Sequence, residues 1–251
     1  MRAKNICLLT FLLFSIAVLI YGGAILCGKE KAKRPAVPQK QYISPYVSIS
    51  PYDHHFRNVA DSLGWDWKFL AAIAHTESRF DSTAVSEVGA GGVMQVMPST
   101  MQRLGIPDSL HLDTRTNIEA AGRLLMNLNH LYRRIENFDE RTNFILASYN
   151  AGSGHIGDAM NLAEKHGCPR YVWENNVDSF LVLKSLPEFY TDSVCRNGSF
   201  NDWKQTLSFV KKVKRTWTRY RHRQARYSDS LRVIMQQDTL LTFDKEHYAG
   251  G

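Results

Sequence analysis

No internal period recurs along the 251 residues, which excludes stacked-repeat architectures. The nine histidines are scattered and none stands in an HExxH arrangement, so no metal site and no cofactor are expected. Cysteine is scarce, four in the whole chain. Cys7 and Cys27 lie in an apolar run and read as membrane residues. Cys168 and Cys195 flank a helical hairpin, where an oxidising compartment would permit a disulfide. Acidic residues are outnumbered, 24 against 31 basic, for a net charge of +7. Lys211 to Arg226 is densely basic, yet no nucleic-acid-binding motif accompanies it, so no nucleic-acid partner is expected. A solvated helix face accounts for any one of these residues, and a carboxylate-rich polymer or anionic lipid would be drawn to it. With 44% hydrophobic residues the chain can bury one good core.

The apolar run spans Ile6 to Cys27, after Arg2 and Lys4. About 20 such residues cross a bilayer as a helix, and the run exceeds the ~7–15 residues of a signal h-region. Residues 1–27 therefore read as a signal peptide or membrane anchor. Lys29, Lys31, Lys33 and Arg34 come directly after it, so charge counting gives no clean orientation. Residues 28–50 read as a linker of Lys, Pro and Gln, which at ~3.3 Å per residue reaches at most ~75 Å. Residues 51–223 form the expected domain and 224–251 a C-terminal tail.

The centre of that domain is Leu70 to Pro98. Leu70, Ile73, Ala74 and Glu77 stand at i, i+3, i+4 and i+7, so a carboxylate occupies a place on an apolar helical stripe. Asp66 is the candidate N-cap, and Asp81-Ser82 reads as turn chemistry beyond the end. Burial and a helix C-terminus both disfavour the charged form of Glu77, which suits a general acid. A lone glutamate near a helix end is more often solvated or paired, and the downstream residues decide between the two. Val85 to Gly92 is a glycine-rich turn region. Val93-Met94-Gln95-Val96-Met97 alternates like a short strand with Gln95 as its polar handle, and Pro98 opens another helix.

The rest is helical. Phe56, Val59, Ala60 and Leu63 make a stripe closed by Gly64. Ile118, Ala121, Leu125, Leu128, Tyr132 and Ile135 mark the core face of a helix over roughly 114–135. Further helices are expected over 141–151, 155–166, 176–186 and 202–219.

Three stretches now carry a resemblance. Glu77-Ser78 and Gly89-Ala90-Gly91-Gly92-Val93-Met94-Gln95-Val96-Met97-Pro98 resemble the Glu-Ser and Gly-Leu-Met-Gln-x-Met-Pro signatures of the bacterial soluble lytic transglycosylase catalytic domain, a family related to goose-type lysozyme. Ala147-Ser148-Tyr149-Asn150-Ala151-Gly152 is similar to its Ala-Tyr-Asn-Ala-Gly motif. The resemblance covers roughly Tyr52 to Tyr220. It implies a mainly α, lysozyme-like (goose-type) domain with one small β element, preceded here by the membrane segment and linker.

The resemblance also implies chemistry. Glycosidases ordinarily use two carboxylates, whereas Asp81 and Glu87 have no evident placement facing Glu77. Lytic transglycosylases need only one. It protonates the glycosidic oxygen, then takes a proton from the C6 hydroxyl of the same sugar, leaving a 1,6-anhydromuramoyl end. Glu77 is then the catalytic residue, with Ser78, Met94, Gln95, Tyr149, Asn150 and Phe209 toward the substrate. Phe209-Val210 stands where the family shows Tyr-Val, so a phenol hydrogen bond is lost there. Met97 reads as packing. The implied partners are peptidoglycan strands on the periplasmic side of the cell envelope, the membrane through the N-terminal segment, and cell-wall synthesis or division proteins. A hydrolytic muramidase and a non-catalytic wall-binding protein are the competing classes.

Overall fold

The computed structural model describes the backbone of residues 44–248, with side chains to residue 236. The run from Ile6 to Cys27, with Cys7 and Cys27, lies outside the described residues, as does most of the 28–50 stretch. Among the described residues no helix is long and apolar enough to cross a membrane.

The described chain is mainly α. Among its residues nine α-helices succeed one another: α1 Asp53–Leu63, α2 Trp67–Ser78, α3 Pro98–Arg103, α4 Thr114–Leu131, α5 Phe138–Ala151, α6 Ser153–Lys165, α7 Asp178–Leu183, α8 Pro187–Tyr190 and α9 Trp203–Tyr248. Their starts are set by local chemistry. The side chains of Asp66, Asp113 and Asn137 accept from the N–H groups of Lys68, Thr116 and Glu140, satisfying donors that no helical carbonyl reaches. Pro98 and Pro187 stand in first turns, where a missing N–H costs nothing. Gly64 closes α1 at φ +67°, as its position predicts.

α2 is the central helix. Phe69 through Ala74 are at most 1% exposed. The helix packs against α1 and α9, and α9 packs in turn against α5. Phe69 meets Trp65 and Trp217 edge-on at 5.6 and 5.0 Å, geometry worth roughly 0.5–1.5 kcal/mol per pair beyond area burial. The indole of Trp217 also donates to Asp66 at 2.8 Å, so the α2 cap is fastened to α9. On α4 and just beyond it the six expected core positions, Ile118 to Ile135, are all buried.

Several elements differ from expectation. The 93–97 strand does not form. Two isolated bridges, Val85–Gly91 and Gly91–Val96, close a turn instead. Gly92 and Gln95 have φ of +76° and +49°, which no strand allows, and Val93 and Met94 are both fully buried rather than alternating. The helix expected over 176–186 is broken up. A π-turn at Trp173–Val177 carries Asn175 at φ +58°, α7 stops at Leu183, and α8 starts at Pro187. The last helix does not end at Arg219 but continues to Tyr248, through most of the stretch read as a tail. Its buried stripe, Phe209, Val210, Val213, Trp217 and Tyr220, does end there. Lys211, Lys212, Arg215, Arg219, Arg221 and Arg223 form an exposed face, as a solvated basic helix should. Within the stretch read as linker, residues from Ser44 onward dock on α9: Gln224 accepts from the Val47 amide and donates to the Pro45 carbonyl. Cys168 and Cys195 are free thiols, directed at the carbonyls of His166 and Phe189.

Candidate active site

Glu77 stands one residue before the end of α2. Beyond it the helix is stopped without glycine: Arg79 and Phe80 sit consecutively at φ +55° and +69°, a conformation that costs non-glycine residues energy and persists only under surrounding constraint. The constraint is visible at Phe80, whose ring lies against Phe56 and His75 at 6.2 and 5.6 Å. The chain therefore turns away at once and leaves Glu77 at the rim of the core. Burial pushes its carboxyl from the ordinary 4.5 to about 8, and the negative end of the α2 dipole acts in the same direction. The carboxyl is thereby protonated at neutral pH.

The other expected residues converge on the glycine-rich loop. Ser78 donates to the Val93 carbonyl at 2.8 Å, and Tyr149 donates to the next carbonyl, Met94, at 2.7 Å. Both hydroxyl protons are thus used on loop backbone and neither is given to Glu77. Burial, with the charge of Glu77 adding to it, holds the Tyr149 phenol well above its ordinary range, so it stays protonated as a donor. Its ring stacks on Phe209, nearly parallel at 4° with centroids 6.4 Å apart, so ring packing persists where the phenol is missing. Gln95 spends its amide N–H groups on the carbonyls of Ala84 and Gly92, both at 3.0 Å, leaving only its oxygen toward a ligand. The side chain of Met94 is fully buried, so in this structure it supports the loop and touches nothing in solvent. Met97, expected as packing, is instead 38% exposed, because the turn swings it outward.

Asn150 stands apart from this group. Its side-chain oxygen accepts from Thr206 on α9 at 2.8 Å, and it lines a polar cleft of about 390 Å³ with His155, Asn201 and Gln205. A groove of about 880 Å³ runs along the basic face of α9 and does not include Glu77. Asp81 and Glu87 are exposed. Hydrogen bonds from Thr83 hold the Asp81 carboxyl below its ordinary value, the opposite of what an acid catalyst needs.

One residue that organises the site is missed by reading the sequence. Asn117, fully buried on α4, accepts the Met94 amide at 2.8 Å and donates to the carbonyls of Gly91 and His111 at 2.9 and 3.0 Å. It takes the bonds a strand partner would have supplied. It also explains Gly92: a methyl there would stand 2.6 Å from the Asn117 amide nitrogen, on backbone that is already left-handed. The only sequence signal is an uncharged polar residue beside Ile118, one turn before the core position Ala121. His111 adds a 2.6 Å contact from its ring to the Val96 carbonyl.

Comparison with known proteins agrees with the motif reading. Residues 55–168 match the transglycosylase SLT domain family, a stretch that includes Glu77, Gln95 and Asn150 and ends before Phe209. The chain is similar to the membrane-bound lytic murein transglycosylase F of Desulfosudis oleivorans, 33% identical over 148 residues, which is 59% of this chain and 32% of that protein. The protein of that name from Marinobacter nauticus is 38% identical over 158 residues, 58% of this chain and 31% of the relative. The chain thus spans about a third of the length of the curated relatives it matches. Among solved structures, the 70 kDa soluble lytic transglycosylase of Escherichia coli is 24% identical, with a TM-score of 0.43 over 68% of this chain and 24% of that one. Over residues 55–168, then, this chain is similar to the transglycosylase SLT domain family.

Proposed function

We propose that the protein is a peptidoglycan lytic transglycosylase with a lysozyme-like catalytic domain, in which Glu77 is the sole acid and base. The carrying observation is the carboxyl of Glu77, neutral to about pH 8 because it is buried, at the end of a core helix and against the loop that Ser78 and Tyr149 hold. A proton-loaded acid can protonate the oxygen between N-acetylmuramic acid and N-acetylglucosamine. Once ionised, the carboxylate is a strong base for its pocket and removes the proton of the muramic C6 hydroxyl. That oxygen closes on C1, the glycosidic bond breaks, and a 1,6-anhydro end results without water. Gln95 Oε1 faces the sugar acetamido N–H in this reading, Asn150 bounds the cleft beyond, and Ser78, Met94, Tyr149 and Phe209 act by fixing the loop. Mass spectrometry of purified cell wall digested by residues 41–251 is expected to find 1,6-anhydromuropeptides. Reducing ends alone would make the enzyme a hydrolase, and no release would remove the catalytic reading.

In the same reading the enzyme works on the periplasmic side of the envelope, tethered through the apolar run of residues 6–27, with 51–223 as the catalytic unit. The names of the similar proteins, membrane-bound murein enzymes, support that location. Native protein is expected to sediment with membranes. A mature form free of residues 6–27 in the periplasmic fraction would overturn the tether and leave the chemistry standing.

A further inference from the structure

A cavity of about 460 Å³ opens between the end of α4 and the start of α6, and its charged lining is three arginines, Arg133, Arg134 and Arg170, with no carboxylate among the lining residues. Gly154 and Gly157 form part of its floor. Nothing stands within 4 Å of where a Cβ of Gly157 would be, whereas one on Gly154 would meet the Asn197 side chain, so the floor is open backbone at Gly157. α6 begins here with Gly152 as N-cap and no side chain bonded to its first N–H groups, so the positive end of a 13-residue helix adds to the arginines. Arg134 is hydrogen-bonded to Tyr171, and the Arg170 guanidinium lies 5.4 Å from that ring, which orients both cations along one wall. Arg170 is also paired with Glu164 at 2.5 Å and with Asn161, yet its buried Nε has no partner. Arg133 bonds the ring and carbonyl of its neighbour His130. The cavity is therefore preformed, cationic and planar in its donors, the arrangement that takes a carboxylate.

The cavity adjoins the polar cleft that Asn150 lines. The first turn of α6 separates it from the polar cleft of Asn150 and His155. Tyr132, on its wall, is hydrogen-bonded at 2.5 Å to Ser148, the residue before Tyr149. A ligand occupying the cleft could place an acidic branch over the α6 turn. We propose that this arginine cavity binds an acidic peptide, the carboxylate-bearing stem of the glycan strand being cut. The proposal rests on the peptidoglycan reading above.

The test uses the double variant Arg133→Ala/Arg134→Ala in the full chain. Both residues are exposed, so circular dichroism should be unchanged. Two charge-assisted hydrogen bonds are removed, so affinity for a soluble stem tripeptide, measured by calorimetry, should fall about tenfold or more. kcat/KM on stem-bearing strands should fall in parallel, while cleavage of strands stripped of peptide by an amidase is unchanged. Added salt should shrink the difference between the two proteins. The same tripeptide affinity for variant and wild type, no tripeptide binding at all, or an equal loss on stripped strands would overturn the site. If wild type cuts neither substrate, the transglycosylase reading fails, and tripeptide binding alone decides the cavity.

Discussion

Glu77→Gln is expected to lower release of anhydromuropeptides by roughly 10²–10⁴, the usual contribution of a general acid–base group. Glutamine keeps the size and hydrogen-bonding capacity of the side chain and removes only the proton it shuttles, so folding and wall binding should persist. Wild-type rate should hold below pH 8 and fall as pH rises through it, since the acid must be loaded and its carboxyl titrates at about 8. The same substitution should change stability in the opposite sense. Between the ordinary 4.5 and about 8 the native protein holds one proton more than the unfolded chain, so its stability declines across that window. Glutamine escapes the decline. The variant should match wild type near pH 4 and exceed it by a few kcal/mol above pH 8 in denaturant titration. Asp81→Asn and Glu87→Gln serve as controls and should retain most activity, both carboxylates being exposed. A Glu77→Gln enzyme with near-normal turnover would show that the acid lies elsewhere.

Lys184→Met should be strongly destabilising. Lys184 and Asp158 are 0% and 2% exposed and joined at 2.5 Å. Burial alone would raise the Asp158 carboxyl. Lys184 and the amides of Arg196 and Asn197, at 3.0 and 2.9 Å, outweigh it and hold the group below its ordinary value. Removing the ammonium leaves a buried carboxylate with uncompensated charge, a loss of about 3–5 kcal/mol, or about 10 °C in melting temperature for a domain of this size. Adding Asp158→Leu should recover only part, because two backbone amides then lose their acceptor. A cost under about 1 kcal/mol would show that water reaches the pair and that burial is not what makes it matter. The effect should extend to the cleft, since the segment Asp158 holds continues into Phe200 and Asn201 beside Asn150.

What a sequence can specify here, and what it cannot, separates along physical lines. The stripe of Leu70, Ile73, Ala74 and Glu77 carries enough information to place a carboxylate at the end of a core helix, because periodicity reports a single face of a single element. The expected strand at 93–97 fails for the complementary reason. Its apolar residues are buried on more than one side of a turn, and the partner of the Met94 amide is Asn117, 23 positions away. Alternation cannot distinguish those cases. Asn117 itself is hidden by its surroundings, since one of three asparagines on an amphipathic helix is indistinguishable from a tolerated one until its three backbone partners are in place. The end of α9 is invisible to a buried stripe, which measures the packed part of a helix and not its length. Directly after Tyr220 come Arg221, Arg223, Gln224, Ala225 and Arg226, good helix formers that need no burial to continue. For Cys168 and Cys195, compartment and spacing allow a pair but say nothing about where each sulfur points.

The loop around Met94 is held by Ser78 of α2, Asn117 of α4 and Tyr149 of α5, through bonds of 2.8, 2.8 and 2.7 Å to two consecutive peptide groups. In mechanical terms this is a statically determinate mount. Two anchors leave a segment free to swivel about the line joining them, and a third off that line removes the remaining freedom. A group that positions substrate, as Gln95 does in the proposed reading, must sit within about half an ångström of its productive place, a tolerance that a free glycine-rich turn does not meet. Each strut comes from a different helix, so a small tilt of any one helix is converted into rotation of the loop rather than absorbed by it. The placing of this loop beside α2 is thereby a property of the whole bundle.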